Sequence, residues 1–168
     1  MKTKIDLKDV EQAFLAAMAE GYAQSAPTKP VIEIPGMKQA PPFKHGDYLV
    51  LDQWITSEDS DMSDGMTLIL HLPDKLPVWC MHYGGYYPKT VIHFLRECLR
   101  QTYVVNPRFN GGRGPDTFNH PDHDDLQYLN RVICPRFTRF EGREVILNGS
   151  ATQLGYHWYQ GQAYLRNC

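Results

Sequence analysis

The chain has 168 residues, a formal net charge of −2, 42% hydrophobic and 21% charged residues, and an aromatic content of 12% that includes 10 Tyr. One domain of this length buries roughly 70% of its unfolded surface, so folding requires neither disulfides nor a metal. The charge balance argues against broad attraction to nucleic acid or anionic lipid, and no apolar run approaches the ~18 residues of a membrane span.

The first predicted element is a helix over Leu7–Glu20. Asp6 is its N-cap, Leu7, Val10, Phe14, Ala17 and Met18 recur at helical spacing, and Gly21 ends it. Residues 25–46 are rich in Pro, Gly and Ser, with a short extended piece at 31–34 bracketed by Pro30 and Pro35. A strand is expected over 47–56. Leu49, Leu51 and Ile55 share one face, and Tyr48, Val50, Asp52 and Trp54 share the other, which implies cover on both sides.

The acidic stretch 57–65 reads as a solvated loop and does not match a calcium-binding EF-hand. A hairpin follows over 66–72 and 77–83 through Pro73-Asp74-Lys75. Its second strand places Trp79, Met81 and Tyr83 on one face and Cys80 and His82 on the other, and Gly84-Gly85 ends it. Pro88 opens an amphipathic helix that runs to about residue 101. Residues 104–125 form a long loop, of a kind that is often functional or disordered. The last third reads as sheet: 126–134, then 137–147 broken at Gly142, a turn at Asn148-Gly149, and a return over 152–159.

The expectation is therefore a single α+β domain over 1–168, with two main helices and a curved, mostly antiparallel sheet of six or seven strands. Two weakly similar sheet units are expected at 47–87 and 126–164. An offset of 77 residues aligns Trp79 with Tyr156, Met81 with Trp158 and Gly84 with Gly161. Charge differs between the halves. Residues 1–89 hold eight Lys against twelve acids, hence −4, and residues 90–168 hold nine Arg against seven acids, hence +2.

Several segments together resemble an uncharacterised bacterial domain family of unknown function. They are Tyr48-x-x-x-Asp52-x-Trp54, Pro77-Val78-Trp79-x-Met81-x-Tyr83-Gly84, Phe140-x-Gly142-x-Glu144-x-Ile146, and Asn148-Gly149 followed by Tyr156-x-Trp158-Tyr159-x-Gly161. The resemblance spans about 14–165. Some members of that family look to be fused behind a helix-turn-helix domain. What it implies is an α+β fold with a curved antiparallel sheet, and no reaction. Gln162 departs from the pattern by replacing a second glycine, and loop 104–125 is richer in His than the family leads one to expect.

Five groupings could carry chemistry. Asp52 beside Trp54 is a carboxylate on an apolar strand, so it must be paired or anchor a ligand. Trp54, Trp79, Met81, Tyr83, Tyr156 and Trp158 either pack a core or line an aromatic pocket. Cys80 and His82 share a strand face and could form a thiolate–imidazolium pair. His120, Asp122, His123, Asp124 and Asp125 are weak metal candidates, so neither metal nor cofactor is expected. Arg131, Arg136, Arg139 and Arg143 alternate with Phe137 and Phe140 in a run that also holds Glu141 and Glu144; it reads as a solvated strand face more readily than a nucleic-acid surface. Gly111-Gly112-Arg113-Gly114 lacks the strand and helix of a phosphate loop. Cys80, Cys98, Cys134 and Cys168 form no C-x-x-C unit and, with no secretory signal in the sequence, point to reduced thiols in the cytoplasm.

The leading functional expectation is a non-enzymatic small-molecule-binding or sensor-like domain whose site is drawn from Asp52, Trp54, Trp79, Met81, Tyr83, Tyr156 and Trp158. The alternatives are a protein-interaction domain using the sheet face or loop 104–125, with self-association among its forms, and an enzyme built on Asp52, His82 or Cys80.

Overall fold

The computed structural model describes residues 5–21, 29–30, 34–56 and 59–165. Helix α1 spans Leu7–Glu20, with the Asp6 carboxylate accepting from the Lys8 N–H at its N-cap. Three short strands follow: β1 (Lys29–Pro30), β2 (Met37–Gln39) and β3 (Phe43–His45). The expected extended piece at 31–34 lies outside the described residues except for Ile34, which is a bend. Strands β4 (Tyr48–Thr56), β5 (Met62–His71) and β6 (Leu76–Tyr86) form an antiparallel meander. A 3₁₀ turn, Lys89–Val91, leads into α2 (Ile92–Arg100), which ends in a π turn at Gln101–Val105. Strand β7 (Thr117–Phe118) precedes a second meander of β8 (Leu126–Arg136), β9 (Arg139–Asn148) and β10 (Gln153–Ala163).

The molecule is α+β. Its open antiparallel sheet has the strand order β1-β2-β4-β5-β6-β10-β9-β8-β7, with β3 also pairing β4. It holds more strands than the six or seven expected, because the segments flanking the two meanders add short edge pairs. The meanders meet through their third strands: β6 pairs β10 antiparallel, with Tyr83 directly opposite Tyr159. The sheet therefore has an approximate two-fold axis between those two tyrosines. Two sheet units were expected, but their equivalence runs through Tyr83 and Tyr159, 76 residues apart. An offset of 77 is odd, and on a strand an odd shift moves every side chain to the opposite face. Trp79 and Met81 point inward; Tyr156 and Trp158 point outward.

Both helices and loop 106–116 lie on one face of the sheet, here the inner face. Phe14 of α1 packs against Trp79 at 4.9 Å and against Tyr103, Phe109 and Phe137. Trp79 is fully buried, lies nearly parallel to Phe137 and Phe140, and donates its indole N–H to the Phe137 carbonyl at 3.0 Å. Leu95, Cys98 and Leu99 add the α2 stripe to the same core.

Two expectations about glycine are corrected. Gly84-Gly85 does not end β6, which continues to Tyr86, and Gly142 does not break β9. The acidic loop is also shorter than expected, since β5 begins at Met62. Cover of β4 on both sides does not occur among the described residues. Its outer face leaves Leu49 and Leu51 half-buried and Ile55 exposed.

Candidate functional site

The glycines inside these strands make room for tyrosines. Gly65 on β5 lies directly opposite Tyr83, and a Cβ there would collide with the Tyr83 ring. The ring therefore lies flat across β5, and its hydroxyl donates to Asp52 Oδ1 on β4 at 3.0 Å. The second meander repeats the device. Gly142 on β9 lies opposite Tyr159, a Cβ there would collide with the phenol, and the Tyr159 hydroxyl donates to Asn130 Oδ1 on β8 at 2.6 Å. In each half a tyrosine on the third strand crosses a glycine on the second and ends on a polar side chain of the first.

In the C-terminal half the chain itself closes this arrangement. The Asn130 amide donates to the Gly114 carbonyl at 2.9 Å, and the Gly114 N–H donates to the Tyr128 hydroxyl at 3.1 Å. Tyr128 in turn donates to Glu144 Oε2 at 2.5 Å, and the Arg113 guanidinium bonds Glu144 Oε1 through Nε at 3.1 Å and through Nη2. Glu144 is completely buried and Arg113 nearly so. Burial alone would raise the Glu144 carboxyl, but the charge and hydrogen bonds of Arg113, aided by the Tyr128 hydroxyl, outweigh it and hold it below its ordinary value. Burial also opposes a charged Arg113, and Glu144 more than compensates. Gly111 and Gly112 bring this loop down onto the sheet with φ of 65° and 81°, and a Cβ at either would press on Tyr159 or Met81. His157 lies in the same cross-strand row as Glu144 and Asn130. Burial and the nearby Arg113 depress it to about 3, against the pull of Glu144. Its Nε2 is 3.3 Å from Ser63 Oγ, and its Nδ1 is buried with no hydrogen-bond partner among the described residues.

The N-terminal half is finished differently. Asp52 Oδ1 takes both Tyr83 and Thr67, the latter at 2.8 Å, and Oδ2 has no hydrogen-bond partner among the described residues. Burial raises the Asp52 carboxyl, opposed by Thr67, Tyr83 and Arg113. Arg113 makes no ion pair with it; the guanidinium stands over the Tyr83 ring at 5.8 Å. Asp52 and Val50, neighbours on the inner face of β4, form the sheet side of a pocket of about 230 Å³. The opposite wall is the end of α1, with Ala17, Met18 and Glu20, and the rim is Pro41, Pro42 and Phe43. No basic residue occupies the last turn of α1, so its C-terminal carbonyls and Glu20 add negative potential to that of Asp52.

The aromatic residues read from the sequence are thus divided. Asp52, Trp54 and Tyr83 come together on the inner face beside the pocket, with Trp54 partly buried. Trp79 and Met81 are buried in the core, where Trp79 stacks on Phe137 and Phe140, and neither lines the pocket beside Asp52. Tyr156 and Trp158 lie on the opposite face, where Trp158 is 41% exposed and Arg143 stacks on Tyr156 at 4.9 Å. Cys80 Sγ and His82 Nε2 do approach, to 3.5 Å, but burial pushes the Cys80 thiol up, away from a thiolate. Phe137, Phe140 and Glu144 are buried, so the arginine run is a solvated face only at its outward residues. His120 accepts the Asp122 N–H through Nδ1 and so caps the 3₁₀ turn Pro121–His123. His123 packs edge-on against Phe94. Both line a wide-open surface hollow of about 300 Å³, and the described residues include no group of three His, Cys, Asp or Glu placed to hold a metal ion. No described helix is long and apolar enough to cross a membrane.

Sequence reasoning missed Arg113, Tyr128, Asn130, His157 and Tyr159. The available signals were an arginine set among three glycines and the inward parity of Glu144 with Phe140 and Ile146. Comparison with protein-family models, curated proteins and solved structures gives no match for this chain. The functional reading therefore rests on these residues.

Proposed function

We propose that the domain is a small-molecule-binding module whose pocket lies between the end of α1 and β4, with Asp52 as the polar anchor. The observation that carries this reading is the asymmetry of one repeated device. Asn130 is satisfied by the protein's own Gly114, whereas Asp52 keeps an oxygen without a partner among the described residues and lines an apolar pocket. A carboxylate there accepts hydrogen bonds, so its ligand is a donor. Glu20 and the α1 carbonyls favour a cation, and the pocket is below the ~300 Å³ typical of drug-sized ligands. The class that fits is a small ammonium compound with an apolar body. A sensor role accords with the resembling family, some of whose members look to be fused behind helix-turn-helix domains.

The test is titration of the protein with butylammonium, cyclohexylammonium and benzylammonium, and with the neutral alcohols of the same shape, by calorimetry and NMR. At least one ammonium compound should bind about tenfold tighter than its alcohol. Affinity should fall as pH drops through the raised Asp52 value, because the ligand requires the ionised carboxylate. Asp52→Asn should abolish binding while keeping the fold. Absence of binding by every amine, or equal binding by Asp52→Asn, would refute the reading.

A further inference from the structure

The outer face of the sheet carries no helix or loop among the described residues, and its side chains form an ordered pattern in rows across the strands. One row reads Arg131, Arg143, Trp158, Gly84 and Asp64, from β8 through β9, β10 and β6 to β5. The row on one side of it reads Leu129, Val145, Tyr156, Tyr86 and Met62. On the other side lie Glu141, Gln160, His82 and Met66. Trp158, Arg131, Arg143, Asp64, Glu141 and His82 are all exposed. A Cβ at Gly84 would collide with the Asp64 carboxylate, so Asp64 leans across the bare glycine toward Trp158.

Each row is self-complementary about β10. A two-fold axis running along β10, between two sheets packed face to face, keeps the rows and exchanges left for right. Arg131 and Arg143 then face the partner's Asp64, Glu141 faces the partner's His82, and Leu129 and Val145 face the partner's Met62 and Tyr86. Trp158, Tyr156 and Gln160 meet their own copies on the axis. No like charges are opposed in these rows. Aligned stacking of two sheets about 10 Å apart is an ordinary packing. Five strands at ~4.8 Å by eight residues at ~3.4 Å give roughly 650 Å² per partner, or about 1,300 Å² in total, within the range of specific interfaces. Trp, Tyr and Arg at its centre are the residue types that dominate such interfaces.

We infer that the protein forms a two-fold homodimer through the outer face of its sheet, centred on Trp158. The opposite charges of the two halves of the chain acquire a role in this arrangement. Arg131 and Arg143 come from the positive half and Asp64 from the negative half, and the two-fold sets them against one another. This inference is independent of the Asp52 pocket, which lies on the other face.

Sedimentation equilibrium and light scattering on the whole chain test it by charge exchange. The unaltered protein should be a dimer. Asp64→Arg alone and Arg131→Asp alone each oppose like charges twice per dimer and should weaken it by about 100-fold or more. Mixing these two variants should restore a dimer containing one chain of each, and the double variant D64R/R131D should dimerise with itself. Near-ultraviolet dichroism distinguishes misfolding from dissociation, since Trp79 is buried in the core and should keep its signal. A monomer at every attainable concentration would overturn the proposal. So would single reversals without effect, or a mixture that stays monomeric, either of which would assign the face to a different protein or to none.

Discussion

In the C-terminal half of the sheet, Tyr159 crosses Gly142 and ends on Asn130, and loop 106–116 seals the end with Gly114 and the Arg113–Glu144 pair. In the N-terminal half, Tyr83 crosses Gly65 and ends on Asp52, beside a pocket that no loop among the described residues fills. The two halves share a backbone device and differ in what completes it. One half is closed by the protein's own polypeptide and serves stability. The other leaves a carboxyl oxygen without a hydrogen-bond partner among the described residues, beside the pocket proposed as the ligand site.

That contrast predicts unequal responses to equivalent changes. The largest concerns the closed half. Arg113→Met leaves Glu144 buried without its counter-charge and should cost about 3–5 kcal/mol, measured by denaturant unfolding. A smaller effect is expected from acid. His157 is held neutral in the folded protein and titrates near its ordinary value when unfolded, so the unfolded state binds the extra proton as pH falls below about 6.5. Stability should decline by about 1.4 kcal/mol per pH unit below that value, and the decline should continue toward the folded value of about 3. His157→Gln should flatten the slope between pH 6.5 and 5, where the Glu144 carboxyl does not yet titrate. A pH-independent stability of the unaltered protein in that range would contradict the burial of a neutral His157.

The sharpest comparison uses the same substitution in both halves. Tyr159→Phe leaves buried Asn130 Oδ1 without its donor and should cost about 1–3 kcal/mol. Tyr83→Phe leaves Asp52 with Thr67 and with access to the pocket, and should cost about 1 kcal/mol or less. Equal losses would mean that the two ends are equally closed, and the contrast between the halves would fail.

Much of the fold was legible because its causes are local. Helix α1 was read to its ends from a 3.6-residue period and an Asp cap, and both meanders were located from strand alternation and turn residues. The opposite faces of Trp79 and Cys80 followed from parity alone. The glycines misled for an equally local reason. A glycine weakens an isolated strand, so Gly84-Gly85 and Gly142 read as ends or breaks, yet Gly142 is the clearance for a tyrosine from a neighbouring strand. The offset of 77 failed because matching letters between aromatic strands ignores which face they occupy.

The sequence by itself determined the α+β class, most of the elements, the sharing of one strand face by Asp52 and Trp54 and of another by Trp79 and Tyr83, and the unequal charge of the two halves. These depend on residue type and on periods of a few positions. Only the tertiary structure decided that Tyr83 and Tyr159 are equivalent, that Arg113 reaches Glu144 across 31 residues of chain, and that Asp52 lines a pocket while Asn130 bonds Gly114. Those outcomes depend on which strands become neighbours and on where loop 106–116 comes to rest. Both are settled by burial summed over the whole inner face rather than by any local run of residues.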